Sequence, residues 1–367
     1  MAKITVDAIP DLSMGSVFLA TGGGGDPYVP GLITQQALET IGPATLITPD
    51  ELDDDALVVT IGGVGAPTVS LELLPSLAEV RNTINGFQER TGKKVDAIAS
   101  FEIGGGNSLI PITAGVVTGL PVIDGDGMGR ALPEAQMMSY PICGVHPTPA
   151  VGCDYQGNVS EFHVNDIMEY EEVIRQFAVE SGGMVTVAEH PMSGKQLKES
   201  ILPGTLTFAT KLGEVLRVNR GNAHDMLQHL EPLFRNSIYG EIYHLYTGKV
   251  VDVSTKIVGG YDVGEATLTS FSGDGEPLKL TIKNEFLLAY LGDRLLASVP
   301  DLITLVDYET STPLNAERLR FGQRVTVFGI KTPDFYRTEQ ALKYVAPSCF
   351  GFPIDYTPIE DLLRSGV

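Results

Sequence analysis

The sequence predicts two domains. The first is a three-layer α/β domain with a mostly parallel sheet and helices on both faces; the second is a mainly β, barrel-like domain. Three observations predict this. Up to about residue 165, short apolar runs that end in glycine alternate with helical patterns, the signature of a parallel sheet covered by helices. Beyond that point strand-like runs dominate, as in a barrel. The charge balance shifts at the same place: residues 1–165 carry 19 acids against 6 Lys and Arg, and residues 166–367 carry 27 against 19. The expected division is 1–165, 166–346, and a Pro- and aromatic-rich tail, 347–367, that packs back on the N-terminal domain.

Taken in order, Val17-Phe18-Leu19 fits strand or helix equally. Ala56 to Ile61 is a continuous apolar run before Gly62-Gly63, as in a strand buried on both faces. Leu71, Leu74, Leu77, Val80, Ile84 and Phe87 follow at helical spacing, with Ser70 as the expected N-cap and Gly92 as the stop. Val95 to Phe101 and Pro121 to Ile123 are the next strands, with helices expected near 108–118 and 133–139. After a helix near 168–179, strands are expected at 184–187, 205–208, 249–253, 266–269, 278–282 and 324–328, with one helix near 223–234. Gly273-Asp274-Gly275 is a hairpin signal between two of these strands.

Composition removes several function classes. Of the 367 residues, 43% are hydrophobic, so a sizeable core is available and disorder is excluded as the main description. The net charge of −21 repels nucleic-acid phosphates and anionic lipid. The longest apolar stretch, 108–123, is broken by Pro111, Gly115, Gly119 and Pro121, too short and too broken for a membrane span. The N-terminus lacks a secretory signal and three cysteines give no disulfide framework, so a cytoplasmic location is expected.

The 41 glycines gather in four loops: Gly22-Gly23-Gly24-Gly25 before Asp26, Gly62 to Gly65, Gly104-Gly105-Gly106 before Asn107, and Asp124 to Arg130. Three directly follow strand candidates, and loops at the carboxyl ends of parallel strands share one ligand-binding edge. Each loop alone is explained by tight-turn sterics; four in one domain favour a binding edge. None carries a P-loop lysine or a Gly-x-Gly-x-x-Gly with its downstream acid, which disfavours a nucleotide. Glu102, Asp124 and Asp126 are the candidate bases, because carboxyls grouped at strand ends have raised pKa values; turn chemistry accounts for the Asp-Gly pairs equally well. Asp26 stands at a helix start, where capping is the competing role. Arg130 is the only Lys or Arg between Lys94 and Arg175. It could anchor a substrate carboxylate, orient a catalytic acid, or pair with Glu134 four residues on. Cys143, His146 and Cys153 are weak zinc candidates in a loop constrained by Pro147 and Pro149; no cofactor is expected.

Several of these segments resemble a known family. Thr-Gly-Gly-Gly-Gly-Asp-Pro at 21–27, Glu-Ile-Gly-Gly-Gly-Asn at 102–107 and Asp-Gly-Asp-Gly-Met-Gly-Arg-Ala-Leu-Pro-Glu at 124–134 are similar to signatures of the S-methyl thiohydantoin desulfurases. The resemblance continues through 259–264, 283–289, 300–303 and Phe350-Gly351. It implies the same two-domain layout and a small heterocyclic substrate: a methylthio-substituted hydantoin ring is hydrolysed to hydantoin and methanethiol. In that setting Glu102, Asp124 or Asp126 is the expected base. Gly22 to Gly25, Gly104 to Gly106, Asp26, Asn107, Arg130, Glu134 and Glu285 are the expected substrate contacts, and the assembly is expected to be a homo-oligomer. Two alternatives stay open: a non-catalytic binding subunit of a hydantoinase- or oxoprolinase-type system, and a metal-dependent hydrolase of cyclic amides.

Overall fold

A computed structural model describes residues 1–65, 76–221, 225–258 and 261–364. Nine strands form the first sheet: β1 (Ala2–Ile4), β2 (Ala44–Ile47), β3 (Leu57–Gly65), β4 (Ala97–Ser100), β5 (Val122–Asp126), β6 (Ala150–Cys153), β7 (Val159–Phe162), β8 (Met184–Ser193) and β9 (Leu202–Pro203). Their order is β1-β2-β5-β4-β3-β8-β6-β7, with β9 paired to the end of β5. Only the central β2-β5-β4-β3 block is parallel; every other pairing is antiparallel. The sheet is therefore mixed rather than mostly parallel. Met184–Val187 is indeed in a strand, but in this sheet, because β8 pairs antiparallel with β3.

Helices cover both faces. α1 (Ile9–Leu19), α2 (Tyr28–Thr40), α3 (Leu77–Thr91) and α4 (Ile110–Thr118) precede the very short α5 (Ser139–Ile142). α6 (Ile167–Glu180), α7 (Gly194–Ser200), α8 (Thr205–Val218) and α9 (Met226–Arg235) follow. Strand residues alternate between the two faces: Val59, Ile61 and Ile98 pack with Val80, Ile84 and Phe87 of α3, whereas Val58, Ala97 and Ala99 join the cluster holding Tyr170 and Ile174 of α6.

One open segment is settled and three local expectations are revised. Val17-Phe18-Leu19 is the end of α1. Thr205-Leu206-Thr207-Phe208 opens a helix, not a strand: its β-branched threonines suggest a strand, but Leu206, Ala209, Leu212 and Leu216 continue at helical spacing and are buried. That helix can lie against α1 because Gly15 and Gly213 let backbones meet; a Cβ on either would fall within 2 Å of a carbonyl oxygen, of Ala209 and Asp11 respectively. The helix expected at 133–139 is a single 3₁₀ turn, Ala135–Met137, followed by α5. Finally, α3 is capped by Ser76, whose hydroxyl accepts the Glu79 amide at 3.1 Å. The expected cap Ser70, with Leu71 and Leu74, lies outside the described residues, as does Ala223. Gly92, at φ 67°, ends α3 as expected.

The second domain is one antiparallel sheet curled into a half-barrel. Its strands are β10 (Ile242–Val258), β11 (Tyr261–Thr269), β12 (Leu278–Lys283), β13 (Glu285–Leu291), β14 (Arg294–Ser298), β15 (Leu302–Asp307) and β16 (Arg324–Ile330), in the order β14-β13-β12-β11-β10-β16-β15. The chain closes with α10 (Glu339–Val345) and α11 (Ile359–Arg364). Phe350, Phe352 and Ile354 pack on the cluster that holds Phe101 and Tyr140, and Ile359 is buried in the half-barrel core. Among the described residues no helix is long and apolar enough to cross a membrane.

Candidate active site

The parallel strands set the site. β4 runs Ala97-Ile98-Ala99-Ser100, and the chain then delivers Phe101 and Glu102 to its carboxyl edge. The Glu102 side chain is fixed by its own loop: Asn107 Nδ2 donates to Glu102 Oε1 at 2.7 Å and to the Gly63 carbonyl at 3.3 Å, while Asn107 Oδ1 accepts the Gly63 amide at 2.7 Å. Asn107 thus ties the end of β3 to Glu102 and spends its amide on positioning. The other oxygen, Glu102 Oε2, is buried without a hydrogen-bond partner. Burial pushes this carboxyl up to about 8, with the Asp126 charge adding to the rise and Asn107 and Arg130 opposing it.

The half-barrel contributes the facing acid. Asn284 takes a left-handed conformation, φ 59°, between β12 and β13, and Oδ1 of its side chain accepts the Asp262 amide at 2.8 Å. This tight reversal leads into Glu285, whose carboxyl lies against Gly23; a Cβ there would sit 2.0 Å from Glu285 Oε1, so any larger residue would displace the carboxyl. The first glycine loop is held by the same strand and by a 3₁₀ turn at Ala316–Arg318: Phe286 N–H donates to Thr21 O at 2.7 Å, and Ala316 N–H to Gly22 O at 2.9 Å. Glu285 Oε2 is buried and unpartnered, and burial, helped by the Glu102 charge, pushes the carboxyl well above the usual range.

Between them lies a cavity of about 150 Å³, small enough to suit a single ring with short substituents. Of the residues singled out in the sequence, Gly24, Gly25, Asp26, Gly106, Asn107, Glu102, Glu134 and Glu285 line it. Several do so with their polar groups already engaged. The Gly106 amide donates to Gly24 O, and Gly23, which does not line the cavity, donates its amide to Ala20 O. Gly22 backs onto the Phe286 ring, and Gly104 and Gly105 pack against Ala131 and the Gly24–Gly25 backbone. Asp26 caps α2 through the Tyr28 amide and pairs with Arg318. Glu134 pairs with Lys283 at 2.9 Å.

Seven expected residues lie off the cavity lining: Gly22, Gly23, Gly104 and Gly105, and three with functional side chains, Asp124, Asp126 and Arg130. Asp124 accepts the amide and hydroxyl of Thr207 at the start of α8, so it is a helix cap. Asp126 is fully buried, and its Oδ2 accepts the amides of Ile103, Met128 and Gly129 at 2.8–3.0 Å. Burial pushes Asp126 up to about 6 against the pull of these donors. Arg130 is also fully buried and pairs with no carboxylate within salt-bridge distance among the described residues. It donates to the carbonyls of Ala131, Pro300 and Asp301 and to the Thr21 hydroxyl, at 2.8–3.0 Å. Burial draws its pKa down to about 10, so the group stays charged at neutral pH. Asp124→Ala is accordingly expected to lower the melting temperature by only about 1 °C, for a cap worth about 1 kcal/mol, and to leave turnover intact; a melting curve and a rate measurement check both.

The zinc candidates do not assemble. Cys143 and His146 are exposed, Cys153 is buried in β6, and among the described residues no group of three or more His, Cys, Asp or Glu is placed to hold a metal ion. Burial pushes the Cys153 thiol up to about 11, away from a reactive thiolate.

Residues 7–164 match the S-Me-THD-like N-terminal domain and residues 164–359 the S-Me-THD-like C-terminal domain. The chain belongs to the S-Me-THD-like family. A crystal structure of a protein from Chromobacterium violaceum is similar in fold: TM-score 0.80 at 20% identity, covering 98% of this chain and 100% of that one. No curated protein matches the chain. Within this S-Me-THD-like chain the long glycine run at 124–134 proves largely architectural. Tyr239 and Tyr336 hydroxyls lock the carbonyls of Gly129 and Gly127, and only Met128 and Leu132 to Glu134 reach the cavity. Gly259 and Gly260 of the 259–264 segment lie outside the described residues.

Sequence reasoning missed the opposite wall. Glu79, Glu171, Arg175 and Glu189 line it, and Glu189 carries the Tyr170 hydroxyl. A signal existed for Glu189: Val185, Val187 and Glu189 share one face of β8, which places an acid on an otherwise apolar face.

Proposed function

We propose that the protein hydrolyses an S-methyl thiohydantoin to the hydantoin and methanethiol, with Glu102 as general base and Glu285 as its acid partner. The observation that carries this is the pair of buried carboxyls facing one small cavity, each with an unpartnered oxygen, in a chain of the S-Me-THD-like family. Two such groups favour sharing a single proton, because like charges in a low-dielectric site resist joint ionisation. Ionised Glu102 takes a proton from water as the water oxygen bonds to the ring carbon that bears sulfur. Protonated Glu285 gives its proton to the ring nitrogen, which receives the C=N electron pair. In the second step the C–S bond breaks with its electrons on sulfur. The new hydroxyl returns a proton to Glu285 as the carbonyl forms, and Glu102 gives its proton to the thiolate. Both carboxyls end as they began. The amides of Gly24 and Gly25, which line the cavity, would hold the ring carbonyl oxygen. No step uses a cofactor.

The test is methanethiol release from a panel of S-methyl thiohydantoins, with plain hydantoins as controls that release none. The same assay carries a pH prediction. A base must be ionised to work, so kcat/KM is expected to rise with pH, reach half of its plateau near pH 8, where the Glu102 carboxyl titrates, and level off above that. At pH 6 the rate should be about one hundredth of the plateau. Absence of thiol from every ring tested overturns the reading.

A further inference from the structure

The cavity holds more acid than the proposed reaction consumes. Glu189 lines its wall at 1% exposure; Oε2 takes the Tyr170 hydroxyl and Oε1 has no hydrogen-bond partner. His190 stands behind it, fully buried, with Nδ1 3.0 Å from Glu189 Oε1 but outside hydrogen-bonding geometry. Its ring lies among Tyr140 and Tyr170, and its backbone is left-handed, φ 48°, where β8 slips register against β3. An irregularity of this kind, in a residue that is not glycine, is the sort of strain that collects at functional positions. Glu79 reaches the same cavity from the first turn of α3, buried and bonded to the Thr186 hydroxyl at 3.2 Å.

The cations nearby are already cancelled. Arg175, the one Lys or Arg in the described cavity wall, is bound by Glu171 and the Pro133 carbonyl and stacks 4.4 Å over the Tyr261 ring. Lys283 is held by Glu134 and stacks over the other approach to the same ring. Glu79, Glu102, Glu189 and Glu285 form no ion pair with Lys or Arg among the described residues. Two of the four serve the chemistry proposed above. The other two are buried acids on the same cavity wall: Glu79 is held by the Ser76 amide and the Thr186 hydroxyl, whereas Glu189 keeps one oxygen without a hydrogen-bond donor, which is costly unless a ligand supplies one.

We propose that Glu189 and Glu79 form a subsite for a cationic side arm on the ring, an ammonium or guanidinium, and that rings with a carboxylate arm are rejected. The proposal rests on the reading of this cavity as the ring site. A cationic arm gains a charge-assisted hydrogen bond to the Glu189 oxygen that lacks a donor, whereas a carboxylate arm meets two acids and no Lys or Arg that is not already paired.

Three S-methyl thiohydantoins with aminoalkyl, alkyl and carboxyalkyl arms of equal length, together with the three matching hydantoins, test this. On the native protein kcat/KM is expected to be about tenfold higher for the aminoalkyl ring than for the alkyl ring, and lowest for the carboxyalkyl ring. The hydantoins, which do not react, should follow the same order of affinity in calorimetry. In Glu189→Gln the aminoalkyl-to-alkyl ratio should fall toward one, and Glu79→Gln offers the same readout if that variant misfolds. Thiol release with no charge preference, or with a preference for the carboxyalkyl ring, overturns the subsite; the latter outcome makes Arg175 the reader. Selective binding of the aminoalkyl hydantoin without any thiol release supports the subsite and overturns the desulfurase reading instead.

Discussion

Glu102→Gln is expected to lower kcat/KM for thiol release about a thousandfold while making the protein more stable in alkali. The loss follows from chemistry: an amide cannot take a proton from water, and general-base catalysis is worth about 10²- to 10⁴-fold. The geometry survives, because glutamine keeps an oxygen to accept the Asn107 Nδ2 donor. The gain follows from linkage. The folded-state pKa of Glu102 lies near 8, above its ordinary 4.5. Folding therefore favours the protonated form, and that contribution is complete below 4.5 and lost as pH rises through 8. At about 1.4 kcal/mol per pH unit, the interval corresponds to several kcal/mol. Glutamine resembles the protonated acid at every pH, so the variant escapes the penalty. Melting curves at pH 5 and pH 9 check this: the two proteins should agree at the lower pH and separate at the higher, with the variant on top. An active variant would show that Glu102 is not the base, and equal stability at pH 9 that it is not a buried carboxylate under strain.

Much of this site was legible in the sequence, and the reasons differ from residue to residue. Glu102 and Asn107 could be found because a short apolar run, an acid and a glycine cluster in that order can hardly fold except as strand, edge and turn. Glu285 needed the family resemblance, since nothing local says that a hairpin in the second domain bends into the first. Asp124 and Asp126 have the same local pattern as Glu102, yet the structure uses one as a cap and the other as a clasp for three amides. Local pattern marks a carboxylate at a strand end; it does not say which donors will surround it. In the fold, β8 was visible as a strand, but its partner was not. A run of alternating apolar residues is equally at home in either sheet, and only tertiary pairing assigns it to β3. The reading of Thr205-Leu206-Thr207-Phe208 failed because four residues are too few to separate a period of 2 from one of 3.6.

Arg130→Met should be the most disruptive single change outside the cavity. Arg130 sits where both domains and the first glycine loop converge, and its guanidinium bonds the carbonyls of Ala131, Pro300 and Asp301 and the Thr21 hydroxyl. Methionine fills similar volume but leaves these acceptors buried and unpaired, at a cost of about 3–5 kcal/mol. For a chain of this length that corresponds to a melting temperature about 5 °C lower. A second readout separates packing from charge. The Arg130 charge lowers the pKa of both Glu102 and Glu285, so its removal should move the acid limb of the rate profile above pH 8. Arg130→Lys keeps the charge but not the planar fork. It should therefore be destabilised as well, yet retain a limb near 8. If the methionine variant kept both its melting temperature and its limb, Arg130 would be neither the staple of the domain junction nor the counter-charge to the paired acids. If both variants lost stability and shifted alike, the fork would matter and the charge would not. The expected split, stability following the fork and pH profile following the charge, ties the glycine-rich segment at 124–134 to catalysis without any of its side chains touching the reacting atoms.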